Sequence, residues 1–123
     1  MMEGEKDIPL RIMKKYVNYH AQGNMIFREG DQGTEMYCVL KGRVSIRKGE
    51  VEIGVAPEGK CFGEMSFLLS SPRVVTAVAL DDVELVAISN ENINILMIED
   101  PAFVVEMLRD IAKRMRAMNE VVD

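Results

Sequence analysis

Apolar positions along the chain follow two regimes. From about residue 14 to residue 88 they come in short β-branched or aromatic runs, cut by glycine at Gly23, Gly30, Gly33, Gly42, Gly49, Gly54, Gly59 and Gly63. Runs of this length between turn residues predict many short strands, the rhythm of an all-β roll or sandwich. Tyr37-Cys38-Val39-Leu40 and Arg43-Val44-Ser45-Ile46-Arg47 form the clearest pair of strands. In the second run Val44 and Ile46 alternate with Arg43, Ser45 and Arg47, which predicts one apolar and one polar pleat face. Lys48-Gly49-Glu50 reads as a hairpin turn into residues 51–55, and further strands are expected over 74–79 and 83–88, linked through Asp81-Asp82.

After residue 88 the period changes. Ser89 is suited to cap a helix, and residues 92–98 carry apolar side chains too densely for alternation, so a short helix is expected there. Asp100-Pro101 then places a capping carboxylate and a first-turn proline at the start of a longer helix. That helix carries Val104, Leu108, Ile111, Met115, Met118 and Val122 at a 4-3-4-3-4 spacing, a heptad seam. The seam has two readings: it packs on the roll, or its part beyond Ile111 overruns so small a roll and meets a second copy, giving a homodimer through the 104–122 helix. A shortened helix over 8–13 precedes the roll. The expected organisation is one domain over residues 1–123, with the β-roll at about 14–88 and C-terminal helices at 89–122.

The two cysteines, Cys38 and Cys61, lack metal-ligand spacing and are expected to be reduced, buried and apolar, with a redox role as the alternative; that argues for a cytoplasmic protein. No apolar run approaches the roughly 18 residues of a membrane span, and the acidic start Met1-Met2-Glu3-Gly4-Glu5 does not resemble a secretory signal. A net charge of −5 disfavours nonspecific attraction to nucleic acid or anionic lipid, so any anion must be held by a local site.

One segment supplies such a site. Between Gly63 and Ser70-Ser71-Pro72, residues 64–69 show no alternation and are expected to form a single helical turn inserted between strands. Backbone N–H groups at the start of that turn favour negative charge, and Gly63 lets an anion approach the main chain. Arg73 returns to the same spot with a guanidinium that matches two phosphate oxygens. Glu64 would repel a phosphate unless it accepts a hydrogen bond, and a ribose hydroxyl is a suitable donor. Arginine on the phosphate and glutamate on the sugar point to a sugar phosphate; the rival reading is a structural Glu64–Arg73 salt bridge in an inert roll.

Phe62-Gly63-Glu64-Met65-Ser66, followed by Pro72-Arg73 and Thr76-Ala77-Val78-Ala79, resembles the phosphate-binding cassette of cyclic-nucleotide-binding domains in catabolite activator proteins, kinase regulatory subunits and gated channels. The upstream stretch from Ile26 through Gly30, Gly33 and Gly42 to Val44 is similar to the same family, and the resemblance covers about residues 14–118. It implies a mainly β fold with flanking helices: an antiparallel β-roll of the double-stranded β-helix or jelly-roll type, a short cassette helix, and two C-terminal helices, the last of which moves to cap the base. It also implies that Glu64 binds the ribose 2′-OH, that Arg73 binds the cyclic phosphate, and that the backbone of Gly63, Met65 and Ser66 completes the cradle. Val74 stands where cGMP-selective members often carry threonine, which favours cAMP over cGMP as ligand.

The expected protein is therefore a non-catalytic cyclic-nucleotide sensor that needs no metal or cofactor and acts on an effector protein the sequence does not reveal. Because the sequence ends after the long helix, neither the DNA-binding domain of some relatives nor a membrane segment is expected in this chain. Arg109, Lys113 and Arg114 are candidates to cap the base, whereas Arg28, Arg43 and Arg47 are expected to solvate strand faces. A cupin-like metalloenzyme needs several histidines, and His20 is the single one here, placed near Tyr16 and Tyr19 on a surface or edge strand. No nucleophile is paired with it by a motif. The remaining alternative is a ligand-free roll that dimerises and docks onto a protein.

Overall fold

The computed structural model describes residues 16–119, so the expected helix over 8–13 and the position of Val122 lie outside the described residues. The strands are β1 (Val17–His20), β2 (Met25–Phe27), β3 (Glu35–Lys41), β4 (Val44–Lys48), β5 (Val51–Ala56), β6 (Cys61–Phe62), β7 (Thr76–Ala79) and β8 (Val83–Ser89). The helices are α1 (Glu64–Leu69), α2 (Ile93–Glu99) and α3 (Pro101–Asn119). Two antiparallel sheets form, in the orders β1-β8-β3-β6 and β2-β7-β4-β5. This is the expected β-roll with a cassette helix and two C-terminal helices.

The two sheets face each other across a core that includes Tyr37, Val39, Phe62 and Leu85 from the first and Phe27, Val44, Ala77 and Ala79 from the second. The first sheet is covered on its other face as well, where Met36, Cys38, Val86 and Ile88 meet Phe67 of α1, Leu96 of α2, and Phe103, Met107 and Ile111 of α3. A strand buried on both faces has no polar side to show, which is why residues 36–39 read as a continuous apolar run.

Several sequence expectations change. The strand pair expected from residues 37–40 and 43–47 is consecutive in the chain, but β3 and β4 lie in opposite sheets, and β4 pairs with β5 and β7 instead. Ser45, assigned to a polar solvent face, is fully buried; its hydroxyl donates to Glu52 Oε1 at 2.6 Å and accepts from Arg47 Nε at 3.2 Å, so those longer side chains cover it. Ser89 does not cap α2. It closes β8, its Oγ accepting from the Glu91 amide, while Asn92 occupies the cap position. Asp100 does act as expected, with Oδ1 accepting from the Phe103 amide at 3.1 Å.

The line of α3 that packs on the roll is Phe103, Met107 and Ile111, whereas Leu108 and Met115 of the heptad seam are about half exposed, at 51% and 49%. Ile111 belongs to both lines and the half-buried Val104 of the seam packs beside them, so the seam parts from the roll at Leu108 and Met115. The largest correction concerns the cysteines. Cys38 and Cys61 are direct cross-strand partners on β3 and β6 and are joined as a disulfide, so neither is a free thiol. Antiparallel register puts both side chains on one face of the sheet, closing a separation of 23 residues that no sequence spacing announces. The cytoplasmic expectation, which rested on reduced thiols, loses that support. No described helix is long and apolar enough to cross a membrane.

Candidate functional site

The chain leaves β6 through Gly63, which adopts the left-handed region at φ of +78° and starts α1. A side chain there would put its Cβ 2.8 Å from Arg73 Nη1 and 3.2 Å from the Phe27 ring, so glycine is required by packing as well as by backbone conformation. The helix ends after one and a half turns at Ser70, and Ser71-Pro72 carry the chain to Arg73. That return is zipped to the β2–β3 loop: the Arg73 amide donates to the Asp31 carbonyl at 2.7 Å, and the Gly30 amide donates to the Arg73 carbonyl at 2.9 Å. Gly33 allows the close approach, since a Cβ at that position would lie 2.2 Å from Ser66 Oγ.

Arg73 is buried, and its guanidinium turns back under the cassette. Nη1 donates to the Gly63 carbonyl at 2.8 Å and to Ser66 Oγ at 2.6 Å, Nη2 donates to the Glu35 carbonyl, and the guanidinium carbon sits 3.9 Å above the Phe27 ring. Among the described residues its hydrogen-bond partners are neutral oxygens. Burial pulls its pKa down from the usual arginine value, and the carboxylates of Glu35, Asp31 and Glu64 only oppose that pull. A buried cation held by neutral dipoles and an aromatic face favours any anion that reaches it.

Glu64 is also buried, and its partner is not Arg73. Its Oε2 pairs with Arg114 Nη1 of α3 at 2.7 Å, while Oε1 is buried with no hydrogen-bond partner among the described residues. Arg114 also reaches Asp110 at 3.3 Å, and Asp110 reaches Lys60 at 3.4 Å. Charges of alternating sign thus run from Lys60 through Asp110 and Arg114 to Glu64, tying α3 to the roll. The expected alternative of a structural Glu64–Arg73 ion pair is not what forms, because each charge has other partners.

Beside this network lies a cavity of about 540 Å³, between β4, β5 and β6 on one side and α3 on the other. Ile46, Ile53, Val55 and Phe62 supply apolar wall, and Lys60, Asp110 and Arg114 the charged part. Its size is within the usual range for small-molecule sites. It also accounts for the exposure of Ile53 and Val55, at 58% and 41%, on a strand of mixed pattern.

The structure brings together Gly63, Glu64, Ser66 and Arg73 of the sequence-predicted site. Ser66 is buried against Arg73, whereas Met65 and Val74 have side chains facing outward, at 45% and 61% exposure. Of the three basic residues considered on the last helix, Arg114 reaches the site; Arg109 pairs with Glu106 on the exposed surface. Sequence reasoning missed Phe27, Glu35, Lys60 and Asp110. The i,i+4 spacing of Asp110 and Arg114 was the available signal for the last of these. His20 is half-buried on the edge strand β1, as expected.

Comparison with known proteins points the same way. The chain is 40% identical over 68 residues to the cAMP-dependent protein kinase regulatory subunit of Eremothecium gossypii, covering 55% of this chain and 15% of that protein. It is 30% identical over 124 residues to the cyclic AMP receptor protein of Thermus thermophilus, covering 97% of this chain and 56% of that protein. The chain thus spans about half the length of these relatives, or far less. The crystal structure of the Thermus thermophilus catabolite activator protein superposes with a TM-score of 0.76 at 28% identity, over 93% of this chain and 59% of that one. The family model described as "Cyclic nucleotide-binding domain" matches residues 17–100, which hold both the roll and the whole cassette. The buried Arg73 guanidinium beside Gly63 and the buried Glu64 carboxylate that follows it are therefore set in the fold that the match describes, and the chain belongs to the cyclic nucleotide-binding domain family.

Proposed function

We propose that the chain forms one non-catalytic sensor domain for a cyclic nucleotide, cAMP, and that it couples binding to the position of α3. The observation that carries this reading is the pair of incompletely satisfied charges. Among the described residues Arg73 holds a buried positive charge on neutral partners, and Glu64 keeps one buried oxygen without a donor. A cyclic phosphate supplies the missing anion, and a ribose 2′-OH supplies the missing donor. One sugar phosphate answers both.

On this reading Arg73 uses the N–H groups not already engaged to hold the phosphate, with the backbone around Gly63, Met65 and Ser66 completing the cradle. The base enters the cavity walled by Ile46, Ile53 and Val55. Glu64 accepts from the ribose while Arg114 stays within reach of both Glu64 and the cavity. The names of the two relatives support cAMP over cGMP. Coupling follows because Glu64 is shared: a ligand that redraws its hydrogen bonds changes the free energy of keeping Arg114, and hence α3, in its present seat. The exposed Leu108 on the outer side of α3 suits association with a second copy through that helix.

Calorimetric titration with cAMP and cGMP tests the assignment. Saturable binding with cAMP preferred is the expected result. No heat and no thermal shift with either nucleotide at about millimolar ligand would favour a protein-docking role for the roll.

A further inference from the structure

We infer that the Cys38–Cys61 disulfide is a redox switch on the site: its reduction loosens the cassette and the seat of α3 and so weakens nucleotide binding, which builds on the nucleotide reading above. The disulfide joins the core to the least supported strand of the roll. β6 has two residues and sits at the edge of its sheet, with Tyr37↔Phe62 and Cys38↔Cys61 as its cross-strand partners. Cys38 is fully buried with Met36, Val86 and Ile88 around it and has nowhere to go. Cys61 is half-buried and lines the cavity, and it also borders a small gap under Phe103, Met107 and Asp110 of α3. When the bond opens, the two sulfurs move from bonding to van der Waals separation. The displacement falls on Cys61.

The neighbours of Cys61 make that displacement functional. On one side Lys60 holds Asp110 of α3. On the other, Phe62 stacks on Tyr37 with ring centroids 5.5 Å apart, Gly63 presents its carbonyl to Arg73, and Glu64 holds Arg114. A shift of β6 therefore disturbs the phosphate cradle and both ionic anchors of α3 together, and preorganisation is lost. Cys61, half-buried and on the cavity wall, is the cysteine on which a small dithiol would act, since Cys38 is fully buried. A thiolate of the dithiol attacks Cys61 Sγ, Cys38 leaves as a thiolate and takes up a proton, and the second thiol of the reductant displaces Cys61. Two electrons and two protons pass to the protein, and the dithiol becomes a cyclic disulfide.

Linkage requires the effect to run both ways: whatever factor reduction takes from nucleotide affinity, bound nucleotide adds to the resistance of the disulfide. The test uses the whole chain equilibrated in dithiothreitol couples of graded ratio, with thiols counted by alkylation and mass spectrometry, with and without saturating cAMP. The expected result is a Kd for cAMP at least about tenfold weaker in the reduced protein, with the reduction midpoint moved about 30 mV lower by cAMP. Cys61→Ala should bind as the reduced parent does and ignore dithiothreitol. Equal affinities in both redox states and an unmoved midpoint overturn the switch. Should neither cAMP nor cGMP bind in either state, the nucleotide reading fails, and amide exchange over residues 60–66 and 103–114 decides the switch. Faster exchange on reduction supports it, and identical exchange refutes it.

Discussion

Replacing Arg73 by alanine separates a ligand-binding role from a structural one, because the structure assigns costs to each. The side chain serves the Gly63 carbonyl, Ser66 Oγ and the Glu35 carbonyl, and packs on Phe27. Truncation orphans three acceptors at about 1–3 kcal/mol each where they stay dry. Against that stands the recovered desolvation of a buried cation without a carboxylate hydrogen-bonded to it. The two largely offset, and Arg73→Ala is expected to lose about 1–3 kcal/mol of folding stability, measured by urea unfolding. Nucleotide binding has no such offset, since the variant removes the only buried positive charge at the cradle among the described residues. The expected loss is about 2–5 kcal/mol, roughly 30-fold to several thousand-fold in Kd by titration calorimetry. Arg73→Lys, which keeps the charge and loses the fork, should fall between. A folded Arg73→Ala protein that binds cAMP within about twofold of the parent would refute the assignment.

Glu64→Gln should weaken cAMP by roughly tenfold, the worth of one hydrogen bond to a charged group, and should leave a 2′-deoxy analogue nearly unaffected; equal losses for both ligands would remove Glu64 from the ribose. Arg114→Ala leaves Glu64 buried without its ion pair but takes away a cation that is half exposed, so the cost in urea should be about 1–2 kcal/mol, with amide exchange faster in α3; no change in either would show that the pair does not seat the helix. Gly63→Ala forces a left-handed backbone on alanine and drives a Cβ to 2.8 Å from Arg73 Nη1, so it should cost at least about 1 kcal/mol in stability and weaken the nucleotide as well. Binding that survives a clear loss of stability in that variant would mean the cradle tolerates movement of Arg73.

Local chemistry carried much of this into the sequence. Glycine spacing, the cassette turn between Gly63 and Ser70, the Asp100-Pro101 helix start, and the proximity of Glu64 and Arg73 to one glycine all depend on residues near one another in the chain. The misassigned features depend on residues that meet only after folding. Alternation over 43–47 could not show that Glu52 and Arg47 fold over Ser45, nor that β4 leaves β3 for the other sheet. The disulfide was invisible for the same reason: β6 is too short to register as a strand, and its register alone sets Cys61 opposite Cys38. Arg114 was among the candidates for the site, but its role at Glu64 follows from which line of α3 faces the roll. Phe103, Met107 and Ile111 decide that, and they compete with an equally regular seam at Leu108 and Met115.

The hydrogen bonds of Arg73 also bear on how a nucleotide would be held in the proposed site. The oxygens that hold Arg73 come from three places, the turn before α1, the helix itself and strand β3, so the guanidinium acts as a cross-link within the cassette. On the proposed reading a phosphate is accommodated by the donors left over or by exchange with one of these oxygens, and its affinity is then a difference between two sets of hydrogen bonds. Glu64 has the same double duty toward Arg114. Were the roll an inert scaffold, both charges would be poor choices, since apolar side chains of similar volume fill such space with less desolvation. Their burial is intelligible if the same two groups that hold the cassette and α3 in place are those a nucleotide must engage, because only then does occupying the cradle change the balance that keeps the helix where it is.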